Sequence, residues 1–323
     1  MADLKSHTIR MRRRARLPSS RWIGARLFSA VIAIWGALTL VFFALEQLGA
    51  PISMFVQEGA TPDEMEQVKR ILGYDRPPVE RYFSFLGSIL TGDYPLSLQF
   101  QRPPMAVILE RFPSTLLLAA SAMAIGLTLA GALGYLGAFS ASRTVRRGVD
   151  VILGFFQSIP TFFLALVFIY LFSVQFRWLP ASGSSRPVHL ILPAVTLAFA
   201  VAIPSARIFR SSLLGIAGSD YVRTARASGR SEFAIRLRHI VPNAFVPVFT
   251  VLGMHCANLL GGAAVVESIF RWPGVGQLLI TAAATQDYPM VLATVCFSVL
   301  VFIVVNIVID ILVAFIDPRV RLS

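Results

Sequence analysis

DYVRTARASGRSEFAIRLRHIVPNAFVPV, residues 220–248, places Arg223, Arg226, Arg230, Arg236 and Arg238 within sixteen residues of an otherwise apolar chain. Hydrophobic residues make up 56% of the 323, charged residues only 14%, and the mean hydropathy is +0.70. A soluble domain carries about a quarter charged residues, so lipid rather than water faces much of this surface. The net charge of +12 would suit a nucleic-acid binder. The basic residues flank apolar runs, however, as in membrane-protein loops that meet anionic lipid heads, and no nucleic-acid partner is expected. Cys256 and Cys296 both lie in apolar runs and read as packing residues, not as a disulfide or a metal pair.

A helix needs about 20 apolar residues to cross a bilayer. Segments 27–48, 115–139, 151–172, 190–209, 244–266 and 290–316 qualify, the fourth interrupted by Pro193 and Pro204. The first is expected to be retained, because its apolar run exceeds a signal-peptide core and no A-x-A-like site follows it. The reading therefore divides the chain into a basic tail (1–26), a first span (27–48), a long loop with short helices (49–113), a core of five spans (114–316) and a short end (317–323).

Orientation follows from the cations. Of the 29 Lys and Arg, 20 fall on one side: Lys5 and the arginines of the tail, Arg143, Arg146 and Arg147, the run from Arg207 to Arg238, and Arg319 and Arg321. The other side holds 9, together with most of the acidic residues of the loop after the first span. By the positive-inside rule both ends of the chain and the arginine-rich stretch are cytoplasmic. The long loop contains TPDEMEQVKRIL, in which Thr61, Pro62 and Glu64 have the spacing of a capping box.

Ala122, Gly126, Ala130, Gly134 and Ala138 recur at four-residue spacing in the second span, and Gly253, Ala257 and Gly261 in the fifth. Such stripes let helix backbones approach closely in lipid, and a smooth face of this kind could also line a path. Glu46, Asp150 and Glu267 fall near span ends, within reach of water. Asp310, one turn after Asn306, reads as helix glue, and His255 as a hydrogen-bonded histidine of the bundle.

No phosphate-binding Gly-Lys-Ser/Thr is present, since the only lysines, Lys5 and Lys69, follow Leu4 and Val68. Uphill transport by this chain must then draw on an ion gradient or on another subunit. In the opening stretch, Ser219 or Asp220 can start a helix that Gly229 ends. Arg223, Arg226 and Arg230 fall on one side of it, a second helical piece follows from Ser231, and Pro242 marks the return to lipid. The element reads as a basic helix on anionic lipid or as a docking element for a cytoplasmic protein.

This stretch resembles the EAA loop of the inner-membrane permeases of binding-protein-dependent ABC importers. Arg223-Thr224-Ala225 stands for Glu-Ala-Ala, followed by Gly229 and Pro242 at the family spacing. RTARASG and RHIVPNAFVPV are similar to the oligopeptide, dipeptide and nickel branch. So are LGYDRPPVERY (72–82), ILTGDYPLSLQFQRPPMAVILERFPSTLLLA (89–119), WLPASG (178–183), HLILPAVTLA (189–198), VVESIFRWPGVGQLLITAAATQDYP (265–289) and VNIVIDILVAFIDPRVR (305–321). LEQLGAPIS (45–53) departs from the LPGDP common there.

The resemblance implies an all-α membrane protein of the type I importer permease fold, with six transmembrane helices and both termini cytoplasmic, in a bacterial inner membrane. It implies a second homologous permease, two cytoplasmic ATP-binding subunits that hydrolyse the ATP, and a periplasmic or lipid-anchored solute-binding protein. It implies no enzyme activity, cofactor or metal in this chain. ATPase coupling falls to the loop at 211–242, with Tyr221, Arg223, Thr224, Ala225, Arg226, Gly229 and Pro242. His255 and Asn258 are the candidate pathway residues. Di- and oligopeptides are the first substrate class, nickel or a metal chelate the alternative because of His255, and an ion-coupled secondary transporter the rival from another class.

Overall fold

The computed structural model describes residues 20–47, 61–71, 73–91 and 95–316, and every regular element among them is helical. The tail before residue 20, most of the segment joining the first span to the capping box, and the last seven residues lie outside the described residues. Among those described, α1 (Ser20–Gln47) leads to the short helices α2 (Pro62–Ile71) and α3 (Pro78–Thr91). The bundle proper is α4 (Pro104–Phe139), α5 (Arg143–Gln157), α6 (Thr161–Phe168), α7 (Ile191–Ala217), α10 (Val241–Gly262) and α13 (Tyr288–Ile316). Between α7 and α10 lie α8 (Asp220–Ala227) and α9 (Glu232–Ile235), and between α10 and α13 lie α11 (Ala264–Ile269) and α12 (Val275–Ala284).

Five of the described helical runs are long and apolar enough to cross a bilayer, or six if the bent pair α5–α6 counts as one span. That pair contains the segment expected as the third span, 151–172. It breaks at Ser158-Ile159-Pro160 and turns by 103°. The cause is local: proline disfavours helical geometry at the residue before it and supplies no N–H to continue the ladder.

The pair α4–α7 is the spine. Ala122, Gly126, Ala130, Gly134 and Gly137 of α4 are buried, against a buried face of α7 that includes Ala198, Val201, Ala206 and Phe209. A Cβ at Gly126 would stand 3.0 Å from the Val201 side chain, and one at Gly134 2.8 Å from the Phe209 ring and 3.0 Å from the Ala206 carbonyl oxygen. The two helices therefore run in the same direction. The small-residue stripe expected from the sequence is present, with Gly137 rather than Ala138 as its last buried member. In α10, Ala257 is buried, and a Cβ on Gly253 would overlap Ile309 of α13.

At the α2–α3 end of the bundle, polar contacts fasten the short helices. The capping box forms reciprocally: the Thr61 amide donates to Glu64 Oε2 at 2.8 Å, and the Glu64 amide to Thr61 Oγ1 at 3.4 Å. Arg81 pairs with Glu46, tying α3 to α1, and its guanidinium lies 4.0 Å from the centre of the Tyr74 ring. Asp287 is fully buried. It accepts from Ser97 and the Gln99 amide and, at 3.2 Å, from the Met290 amide in the first turn of α13.

Gly134→Val is expected to lower the thermal unfolding midpoint measured in detergent, since overpacking a tight contact costs about 1–3 kcal/mol. Gly131→Ala, on the same helix with nothing within 4 Å of its Cβ position, is expected to leave it unchanged or raise it.

Candidate functional site: the α8–α9 loop and a cavity beside α10

The short helix α8 ends as the sequence predicts. Gly229 has φ +73, a left-handed geometry that costs other residues about 1–2 kcal/mol, and its amide donates to the Arg226 carbonyl at 3.0 Å. The helix also starts where expected, at Asp220 with Ser219 in the N-cap position. The Ser219 side chain makes no capping bond; its hydroxyl donates back to the Ile216 carbonyl at 2.7 Å. After Gly229, Ser231 caps α9, and the helix widens into a π-turn over Arg236–Ile240. That widening accommodates Pro242 in the first turn of α10, because the displaced carbonyl register relieves the ring's clash with the preceding turn.

The arginines do not form one free basic face. Arg226 donates to both carboxylate oxygens of Glu232 across the bend, at 2.6 Å through Nε and 3.4 Å through Nη2, and to the Ala217 carbonyl at 3.2 Å. The Glu232 carboxylate bonded to it raises the guanidinium pKa. Arg230 lies 3.0 Å from His239 Nε2, and Arg223 is 3.5 Å from Asp220. Arg226 is thus a strut that closes the α8–Gly229–α9 bend. A guanidinium and a carboxylate six residues apart, flanking a helix-ending glycine, were the signal available for it in the sequence.

The loop has two faces. Val222, Ile235 and Ile240 are fully buried and join the main apolar core with residues of α4, α7 and α10, while Ala225 packs partly against it. Tyr221, Phe233 and Leu237 are exposed, by 48%, 69% and 48%. Phe233 and Leu237 were not singled out by the sequence reading, although an exposed aromatic between charged residues is itself a mark of a contact surface. Thr224 donates to the Asp220 carbonyl at 3.0 Å, and it and Pro242 are exposed.

His255 and Asn258 meet in a second place. Both line a cavity of about 350 Å³ between the start of α6, the middle of α7, α10 and α11. The other lining is apolar apart from Thr161, and includes Phe162, Leu197, Val201 and Val266. His255 has no hydrogen-bond partner among the described residues, contrary to the sequence expectation. Asn306 donates to the Phe302 carbonyl at 2.8 Å, and the side chain of Asp310 lies outside the described residues. Asp150 is half exposed and paired with Arg210, and Glu46 is largely covered in its pair with Arg81. Glu267, expected within reach of water, is fully buried instead.

Residues 129–322 match the family described as "Binding-protein-dependent transport system inner membrane component", and the chain belongs to that family. It is 36% identical over 297 residues to the glutathione transport system permease protein GsiC of Escherichia coli (strain K12), covering 92% of this chain and 97% of that one. The GsiC protein of Shigella boydii serotype 4 (strain Sb227) is 35% identical over the same shares. Among solved structures, the inward-facing MetNI methionine ABC transporter aligns with a TM-score of 0.58 at 19% identity, over 67% of this chain and 98% of that chain. An amino acid ABC transporter aligns at 0.50 and 20% identity, over 67% and 95%; both likenesses speak for the fold. The chain is a multi-pass permease subunit of a binding-protein-dependent ABC importer, and partner ATPases hydrolyse the ATP.

Reversing the strut with Arg226→Glu is expected to speed amide hydrogen exchange across residues 219–235, and the double swap Arg226→Glu/Glu232→Arg to restore slow exchange. If the swap leaves exchange fast, the bridge is not what closes the bend.

Proposed function

We propose that this subunit imports short peptides across a bacterial inner membrane, as one of two homologous permeases. Two ATP-binding subunits work on its cytoplasmic face, and a periplasmic or lipid-anchored binding protein delivers substrate to the opposite one. Both chain ends are cytoplasmic on this reading, in keeping with the cation count. The substrate class rests on the GsiC relatives, whose name gives glutathione, itself a small peptide.

The observation that carries the coupling role is the two-faced loop. Its buried residues Val222, Ile235 and Ile240 root it in the helix core, while Tyr221, Phe233 and Leu237 stand free to enter a cleft on an ATPase. Arg223, Thr224 and Pro242 lie on the exposed side, Ala225 and Gly229 set the shape of the bend, and Arg226 braces it. ATP-driven closure then does work on the permease through differential binding at this joint, as any two-state device requires. The cavity at His255 and Asn258 is read as one permease's share of the translocation path. It offers polar contacts without a fixed charge, which suits a path open to peptides of varied side chain.

The test is uptake of labelled di- and tripeptides into proteoliposomes holding the assembled complex. ATP-dependent uptake that needs the binding protein is the expected result. Uptake driven by an ion gradient without ATPase subunits, or uptake of nickel in preference to peptide, would overturn the reading. Phe233→Asp is expected to weaken association with the ATPase about tenfold or more, the order of loss for a buried aromatic anchor. Gly229→Pro, which φ +73 cannot accommodate, is expected to abolish substrate-stimulated ATP hydrolysis.

A further inference from the structure

Residues 111–119, RFPSTLLLA, and 267–279, ESIFRWPGVGQLL, come together around one carboxylate. Glu267 is fully buried. Its Oε1 accepts from the Thr115 hydroxyl at 2.9 Å and its Oε2 from the Gln277 amide at 2.9 Å. The Thr115 oxygen in turn accepts from the Val275 amide at 2.8 Å. One residue earlier on α4, the Ser114 carbonyl accepts from the Trp272 indole at 2.9 Å.

The first turn of α12 thus spends otherwise unpaired amides on this acid and on Thr115, and the positive end of the helix faces a carboxyl group that has no basic partner among the described residues. Two glycines make the fit possible. A Cβ at Gly274 would overlap the Glu267 carboxylate, and one at Gly276 would run into the backbone of Ala264. The arrangement fixes three helices to one another: α11 through Glu267, α12 through its amides, and α4 through Ser114 and Thr115. The cavity of His255 and Asn258 is walled on one side by Ala263, Val265 and Val266, the residues that lead directly into Glu267.

We propose that Glu267 is a positioning residue for transport, which with Thr115 clamps α11 and α12 to α4 and so holds one wall of the pathway cavity in place while α10 moves. The proposal rests on the reading of that cavity as part of the path. A wall held in this way determines whether each turnover of ATP delivers a substrate molecule. A loosened wall lets the subunits cycle without productive passage.

The experiment uses the complete complex in proteoliposomes, with Glu267→Gln, Thr115→Val, Thr115→Ser and the double variant Glu267→Gln/Thr115→Val. Assembly is followed by gel filtration, ATP hydrolysis is measured with and without substrate, and peptide uptake is expressed per ATP. The expected result is normal assembly and unstimulated hydrolysis, with peptide moved per ATP lower by about tenfold in Glu267→Gln and Thr115→Val, as for a buried polar group that loses its partner. Thr115→Ser, which keeps the hydroxyl, should match wild type, and the double variant should be no worse than either single one.

Wild-type uptake per ATP in Glu267→Gln and Thr115→Val would overturn the proposal. So would losses that only track the amount of assembled complex, or equal impairment in Thr115→Ser. If Glu267→Gln does not assemble, Thr115→Val decides. Hydrogen exchange of the α12 amides in the same preparations tests the clamp without reference to transport. If the wild-type complex moves no peptide, the functional reading fails, whereas faster exchange in both variants, with Thr115→Ser unchanged, still supports the clamp; unchanged exchange refutes it.

Discussion

Helices in lipid gain nothing by hiding apolar side chains from one another, so their association depends on how closely their backbones can approach. In this chain the approach of α4 to α7 is the contact on which the others depend. Gly126 and Gly134 leave room for Val201 and Phe209, and Gly137 leaves room for Arg210 at the α8 end. With that spine set, α10 packs against α7 and α13 against α10, and the main apolar core runs without a break from Leu118 to the roots of the α8–α9 loop. A bulky residue on the stripe would separate the spine and, with it, the core into which the loop is rooted.

The departures from regular helix have a common logic. Backbone polar groups in a membrane must find partners inside the protein. Where Pro160 breaks the third hydrophobic run, Ser158 turns its amide back to Phe155 and Phe156. Where Pro242 would collide with the turn before it, the helix widens to five-residue hydrogen bonding instead of stopping, as the Val241 amide donating to Arg236 shows. Where α11 and α12 interrupt the path from α10 to α13, the amides at the start of α12 go to Glu267 and Thr115. Each break is satisfied locally except the last, which draws on a helix more than 150 residues earlier.

That difference explains what could be read in the sequence. The apolar runs, the capping box at Thr61 and Glu64, the small-residue stripe and the turn at Gly229 all depend on neighbours within about one or two helical turns, and each is visible as spacing. The break at Ser158-Ile159-Pro160 had a local signal too, in the proline, but hydropathy averaged over a window smooths it away. The burial of Glu267 had none. A glutamate near the end of an apolar run looks the same whether it meets water or Thr115. Arg226 is intermediate: its partner Glu232 is close in sequence, but only the left-handed turn at Gly229 brings the two within reach.

Under the coupling role proposed for the loop, α10 is the element that would carry its displacement to the cavity. Its first turn continues from a π-widened segment whose root, Ile240, is buried in the core, so no non-helical residue separates that segment from α10. Its other end leads into α11, which Glu267 ties to α4. Between these points α10 carries His255 and Asn258 along the cavity and meets α13 through the close contact at Gly253. A helix driven at one end and anchored at the other changes its tilt instead of sliding, and a change of tilt alters a cavity along its length. Under the proposed coupling, the demand on the Glu267 clamp would be greatest when the loop is pushed, because the clamp would have to resist the force that α10 transmits. Packed interfaces respond to such force by switching between discrete arrangements, and a firm anchor is what gives the switch two defined ends.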